Sequence, residues 1–515
     1  MRPGDDRRPG GRLAARTLST PAAVVGLATI AAAAWVAALL VNRVDGLSAP
    51  PYDLAFFQQI AWNVGARGLW VSSFHQGSFL GLHFSPILVI PAAIERLVGP
   101  DVRVLNLLQA LAVAALVPAT FLFLRVLLRP SRFGPALAAV LAIGIPVWGT
   151  MQEVIRSDFH PETAGIGLAL LAGWAGLTKR HRAMWALALV ALATREDVSY
   201  AVVVIGLAVA VRGRGPTRRQ GRFLVLVAAA WAIAAFGLVM PAIRGGVRTD
   251  TDGYYAWLGG GLAVLLAPFD QTAAVVAHIA RATPWLAAAG MIVALLGLPL
   301  LRPRWLILAL PPMVASLLSA NDFQADLRLQ YGLILVVPLL VAAGFGGRRV
   351  LAIVERRLRR RRRQGAPGHR AGESPARRFG PVIAVLLILP AAVGASLQGS
   401  LPPFDSSDPA FAARPARLDL LKLAAVVVPA EAILAADEGL VAPLAGRSDI
   451  RRLIAGPVPP ADSYVVMDRT AWSPTWQIRR RQDEFLASLL AGDRAVLVDD
   501  GEFIVWGPEP GGVAP

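Results

Sequence analysis

The chain has 515 residues, 55% of them hydrophobic and 17% charged, with no cysteine and a mean hydropathy of +0.55. Soluble domains carry about 25% charged residues, so a soluble enzyme is excluded, and the missing thiols exclude disulfides and thiolate chemistry. The net charge of +17 gathers in residues 348–378 (+10), 212–222 (+5) and the first sixteen (+3); each cluster abuts an apolar run, as in cytoplasmic loops facing membrane lipids, so no nucleic-acid partner is expected.

In chain order, residues 1–20 read as a basic cytoplasmic tail and Ala22–Val41 as a first span, since about 20 apolar residues cross a bilayer. The transmembrane domain is expected over 21–398, with a first outside loop at 42–83. That loop holds an amphipathic stretch, Asp53–Asn63, with Asp53 placed to cap it and Gly65 near its end. Residues 84–98, broken by Pro86 and Pro91, are too short to span and read as a juxtamembrane or re-entrant helix with Ser85 at the cap and Pro86 at its first position. Runs 104–128 and 133–149 are two spans about a basic turn at 129–132, which leaves Gln152–Glu162 outside, and 164–178 returns to Lys179–Arg182. The stretch 183–211 has basic residues at both ends, so it must cross an even number of times, as two short helices meeting at Thr194–Asp197.

Spans follow at 223–242, 284–301, 305–320, 331–347 and 381–398, with an Arg-rich cytoplasmic loop at 348–380. The expectation is an α-helical polytopic membrane protein of about eleven helices with its C-terminus outside. Residues 399–515 read as a small extracytoplasmic α/β domain: strands at Glu431–Asp437 and Ser463–Asp468, a helix at Gln482–Ala491 and a hairpin over Arg494–Trp506 turning at Asp500-Gly501.

Ionisable groups beside an apolar layer cost several kcal/mol unless paired or functional, so they are the candidates for chemistry. Asp53 is either a helix cap or a general base or metal-binding carboxylate. His83 is not accounted for by capping at Ser85. Arg156-Ser157-Asp158-Phe159-His160-Pro161-Glu162 is either a solvated helix start or a site for phosphate, through Arg156 and His160, or for a divalent cation, through Asp158 and Glu162. The charges Arg195, Glu196 and Asp197 interrupt a run of apolar residues, and Arg328 with Tyr331 forms a weaker fifth cluster.

Tyr52-Asp53-Leu54 with Gln58-Gln59 and Trp62-Asn63, His83-Phe84-Ser85-Pro86, Gln109, Asp158-Phe159-His160-Pro161-Glu162, Arg195-Glu196-Asp197 and Gln330-Tyr331 together resemble a prokaryotic family of polytopic membrane proteins known by a domain-of-unknown-function label. Val428-Pro429-Ala430-Glu431 and Ala461–Val466 continue the likeness into the tail. That family looks like a distant relative of the GT-C glycosyltransferases, which take sugars from polyprenyl-phosphate donors on the outer face. The resemblance implies a GT-C-like fold and a carboxylate in the first outside loop at the catalytic position, here Asp53. Many such enzymes carry a paired acidic motif, whereas Leu54 follows Asp53. The family's usual Lys before Glu-Asp is Arg195 here, which keeps the charge.

The function expected is a membrane glycosyltransferase using a lipid-linked sugar donor. Asp53 is its base, Arg195 with Arg156 or Arg328 clamps phosphate, and His83 and His160 orient or donate protons. Glu162, Glu196, Asp197 and Tyr331 contact substrate, and a divalent cation is the one cofactor left open. The alternatives are a transporter or flippase, against which stands the lack of visible inverted repeats, and a non-catalytic scaffold, which leaves the charges at 195–197 unexplained.

Overall fold

The computed structural model describes residues 20–247, 253–259, 266–363, 400–403, 406, 407, 409–411, 416–453, 459–469, 484–487 and 489–508. The expected tail and the expected span at 381–398 lie outside the described residues, the tail except for Thr20.

Helix α1 (Thr20–Asp45) leads into the loop that carries α2 (Asp53–Arg67), α3 (Phe79–Leu82) and α4 (Val89–Val98). The long helix α5 (Arg103–Leu127) follows, then α6 (Gly134–Gly144) and α7 (Gly149–Arg156), which meet at a 42° bend. Next come α8 (Pro161–Leu177), α9 (His181–Leu192) and α10 (Val198–Arg212). Helix α11 (Pro216–Ala234) runs through a π-turn into α12 (Met240–Arg244), one apolar rod of 29 residues.

Among the described residues four helices have spanning length and apolarity: Thr20–Asp45, Arg103–Leu127, Pro216–Arg244 and Asp322–Arg360. The number rises to six if two bent pairs each count as one span. The apolar helices α9, α10 and Pro303–Leu317 are shorter. Burial sorts the rods. The spanning window of α5 is 61% buried and that of Asp322–Arg360 is 78% buried, so they are central, whereas α1 and Pro216–Arg244, at 22% each, turn most of their apolar surface outward. Phe123, Leu124 and Leu116 on α5 are fully buried in one core with Ala172 on α8 and Ile205 on α10.

Four local expectations are corrected. Asp53 is not a side-chain cap: Tyr52 holds the cap position without a side-chain hydrogen bond, and Asp53 is the first helical residue. Helix α2 closes at Gly68, in the left-handed region (φ 67°), rather than at Gly65. Ser85 caps nothing, since its side chain makes no cap bond and the 3₁₀ turn Pro86–Leu88 precedes α4. The segment expected as an Arg-rich loop begins as helix, because Val336–Arg363 is continuous; arginine is a good helix former.

The C-terminal sheet has the order β2-β1-β3-β5-β4. Its strands are β1 (Ile433–Ala436), β2 (Asp449–Arg452), β3 (Tyr464–Asp468), β4 (Val496–Asp499) and β5 (Phe503–Trp506). Strand β1 runs parallel to β2 and β3, and β5 antiparallel to β3 and β4. Of the expected helix, residues 484–487, 489 and 490 are helical, while 482, 483 and 488 lie outside the described residues. Alternation with period two gives the sheet two apolar faces. Leu434, Val466, Phe503 and Val505 join Leu54, Phe57 and Ile60 of α2 in one core, and Val465, Met467, Ile504 and Trp506 pack with Leu489 on the other side. Polar bonds fix the seam. Gln59 Nε2 donates to the Ser448 carbonyl (2.9 Å), Ser73 Oγ donates to the Ile450 carbonyl (2.6 Å), and the Ile450 amide donates back to Ser73 Oγ (3.1 Å).

Candidate functional site

Two turns come together at one end of the helices. The α9–α10 turn carries Arg195-Glu196-Asp197, and α8 reaches it closely because Gly165 has no side chain: a Cβ there would lie 2.2 Å from Thr194 Oγ1. Glu196 is buried, and its two oxygens are met separately: the Phe84 amide donates to Oε2 and His83 Nδ1 bonds Oε1, each at 2.9 Å. A carboxylate only accepts, so Nδ1 carries the hydrogen and Nε2 is the ring nitrogen left for a ligand. The Ile87 amide donates to the Ala193 carbonyl (3.0 Å), so the 83–87 turn and the 193–197 turn are held as one piece.

Arg195 is surrounded by carboxylates. Its Nη1 donates to Glu162 in the first turn of α8, and its Nε lies 3.5 Å from Asp197 and 3.9 Å from Glu196. Among the described residues, the buried Glu162 Oε2 and Asp197 Oδ1 have no hydrogen-bond partner.

His160 sits where α7 hands over to α8, just before Pro161, which occupies the first helical position where its missing N–H costs nothing. Its amide donates to Gln109 Oε1 on α5 (3.2 Å) and its Nε2 lies 3.9 Å from Asp53 Oδ2. Asp53 is 39% exposed on its side chain while His160 is 5% exposed, so the carboxylate faces open space and the imidazole backs it. Two residues earlier, Asp158 takes a left-handed backbone (φ 60°), fully buried, and Arg43 Nη1 approaches it at 3.5 Å. Arg43 also donates to the Arg156 carbonyl (2.9 Å) and lies 4.4 Å over the Phe411 ring, tying α1 to this turn.

Asp53, His83, His160, Glu162, Arg195, Glu196, Asp197 and Tyr331 all line one cavity of about 600 Å³, within the range of small-molecule sites. Arg156 and Arg328 do not line it. Arg156 lies 3.8 Å from Glu153, and Arg328 bonds Asp326 (2.6 Å) at an exposed position, so the expected clamp partners of Arg195 point elsewhere. The lining also includes residues that sequence reasoning passed over: Phe236, Met240, Arg244, Tyr254, Tyr255 and Gln324. Arg244 ends an apolar run and Tyr254-Tyr255 follow Asp250 and Asp252 in a polar interruption, a signal that was present but unranked.

Among the described residues no group of three or more His, Asp or Glu is placed to hold a metal. The carboxylates of Glu162, Glu196 and Asp197 already surround the Arg195 guanidinium, and Asp158, the other expected ligand, faces Arg43 instead.

Outside the spans, one acid of the C-terminal domain is strongly perturbed. Burial pushes the Asp437 carboxyl, at the end of β1, from 3.8 up to about 7.

A family model described as "Predicted membrane protein (DUF2079)" matches residues 43–491. The chain belongs to this family. The member described here is therefore a multi-pass membrane protein, as its apolar helices require. No curated protein matches it. Among solved structures it is similar to ArnT from Cupriavidus metallidurans bound to undecaprenyl phosphate, at 14% identity, TM-score 0.49, covering 95% of this chain and 99% of that one. It is also similar to the Archaeoglobus fulgidus oligosaccharyltransferase, at 13% identity, TM-score 0.44, covering 87% and 69%. A third is the arabinofuranosyltransferase AftD from Mycobacteria, at 15% identity, TM-score 0.42, covering 96% and 40%.

Proposed function

We propose that this protein is a membrane glycosyltransferase that takes a sugar from a polyprenyl-phosphate carrier on the extracytoplasmic face. The observation that carries the reading is the convergence of Asp53, His83, His160 and Glu196, drawn from three separate stretches of sequence, on one cavity. The resemblance of these same motifs to a family akin to GT-C enzymes supplies the donor class.

In the reaction, Asp53 accepts the proton of the acceptor hydroxyl as its oxygen forms a bond to the anomeric carbon. The bond from that carbon to the phosphate oxygen breaks with its electron pair, releasing polyprenyl phosphate. Asp53 suits this role because it is partly exposed and makes no cap bond that would consume its lone pairs, while His160 stands behind it. Glu196 keeps the His83 ring in one orientation and tautomer. Arg195 holds the Glu162 and Asp197 carboxylates in place and is a positioning group before it is a phosphate ligand.

The test is turnover by the purified full-length protein in liposomes, supplied with a panel of polyprenyl-monophosphate sugars and candidate acceptors. Release of polyprenyl phosphate with a matching glycosylated product supports the reading. Absence of release across the panel, with folded protein present, overturns it.

A further inference from the structure

Helix α8 opens at Pro161, and His160 before it takes an extended backbone (φ −139°, ψ 110°). The His160 amide has no place in the α8 ladder, and at a buried position an N–H without an acceptor costs as much as a lost hydrogen bond. Gln109 of α5 supplies the acceptor. Its Oε1 accepts from the His160 amide (3.2 Å), and its Nε2 donates to Thr163 Oγ1 (3.3 Å). Gln109 and Thr163 are fully buried and His160 nearly so, which leaves no water to take over these bonds.

The stretch held by this one side-chain amide carries two groups that face the cavity. His160, at its start, has Nε2 3.9 Å from Asp53 Oδ2, and Glu162, inside it, accepts from Arg195 Nη1. The His160 ring also stands edge-on to Phe57 of α2, with 6.0 Å between centroids, one helical turn along from Asp53. A rotation of the backbone at 160 therefore swings Nε2 relative to the carboxylate it faces.

The turn does not hold itself. Asp158 is in the left-handed region (φ 60°), which few residues other than glycine adopt, so the chain before α8 has to be fixed by its surroundings. On one side α1 does this, as Arg43 donates to the Arg156 carbonyl (2.9 Å) and approaches Asp158. On the other side stands Gln109, on one of the central, most buried rods.

We infer that Gln109 is a positioning residue: by binding residues 160 and 163 at once, it aims His160 at Asp53 and Glu162 at Arg195. Gln109 does not line the cavity, so it acts through these two side chains and not on a substrate. The consequence for turnover rests on the proposed reaction; the aiming itself is a matter of geometry and is measured separately.

The test uses full-length protein labelled with 15N-histidine in phosphatidylcholine liposomes, with the His160 ring resonances identified by their loss in His160→Asn. In the wild type, Asp53→Asn is expected to move the His160 Nε2 resonance, because that nitrogen faces the carboxylate being neutralised. In Gln109→Leu, which keeps the volume and removes both bonds, the same Asp53→Asn change should move it by less than about half as much. Gln109→Glu still accepts from the His160 amide and should restore the response. In parallel, kcat for sugar transfer by Gln109→Leu should fall about 10–100-fold per folded molecule, whereas a merely structural glutamine lowers the folded amount and leaves kcat unchanged. Where Gln109→Leu does not fold, Gln109→Asn, one methylene too short to meet both residues, carries the same comparison. An equal His160 response in wild type and folded variant overturns the inference, and so does the lack of any response in the wild type or a wild-type kcat in the variant. The expected pattern of His160 responses in a wild-type protein that transfers no sugar supports the aiming by Gln109 and removes the proposed enzyme activity instead.

Discussion

Replacing Asp53 by Asn separates chemistry from structure with little ambiguity. The carboxylate makes no cap bond, so the substitution removes two weak terms: an ion pair with His160 at 3.9 Å on a side chain that is 39% exposed, worth about 0–1 kcal/mol, and a favourable charge in the first turn of α2, worth about 0.3–1 kcal/mol. Stability should therefore fall by no more than about 2 kcal/mol. If Asp53 takes the acceptor proton, transfer should fall by a factor on the order of 10²–10⁴, or roughly 3–5 kcal/mol of barrier, clearly more than the stability term. The assay is the initial rate of polyprenyl-phosphate release at saturating donor, beside a thermal unfolding curve of the same preparation. Transfer at the wild-type rate by folded Asp53→Asn refutes the assignment.

Other outcomes follow from the same geometry. Arg195→Ala leaves Glu162, Glu196 and Asp197 facing one another without their cation; the protein should lose about 3–5 kcal/mol, and adding Glu162→Gln should raise the melting temperature of the single variant, whereas an unchanged melting temperature in Arg195→Ala would reduce the arginine to a ligand contact. Cysteines placed at Arg361 and Ser406 should differ toward an impermeant thiol reagent in intact cells, with reaction only at 406; labelling at 361 reverses the proposed topology. The Asp437 carboxyl titrates near 7 when folded and near 3.8 when not, so the folded chain binds the extra proton between these values and stability should fall as pH rises from about 4 to about 7. Asp437→Asn should flatten that slope in thermal unfolding followed by tryptophan fluorescence, and an unaltered slope would assign it to another group.

What the sequence disclosed depended on whether a local pattern had one physical meaning. The amphipathic run after Asp53 became α2, the two short helices expected over 183–211 are α9 and α10, and Asp500-Gly501 turns the β4–β5 hairpin. Strand β2 was illegible because Asp449-Ile450-Arg451-Arg452 has no apolar run; it is a strand through its parallel pairing with β1. At the site, the cluster Arg195–Asp197 stood out in sequence as charges in an apolar stretch, but its partners could not be read. Arg195 meets Glu162 and Asp158 meets Arg43 through pairings set by tertiary structure. Arg156 and Arg328 do not line the cavity, whereas Arg244 does but stood in sequence as one arginine at the end of an apolar run.

The seam between the first loop and the C-terminal sheet also fixes an order of events during synthesis. Gln59 finds the Ser448 carbonyl 389 residues later, and Ser73 finds Ile450 377 residues later. At about 5–20 residues per second this is a wait of roughly 20–80 s, during which Asp53 and its helix have left the ribosome but the sheet that covers their apolar side has not been made. The Asp53 end of the cavity is therefore completed last, although its first residue is among the earliest translated. A ribosome that stops before Ser448 therefore leaves α2 without the sheet residues that share its core.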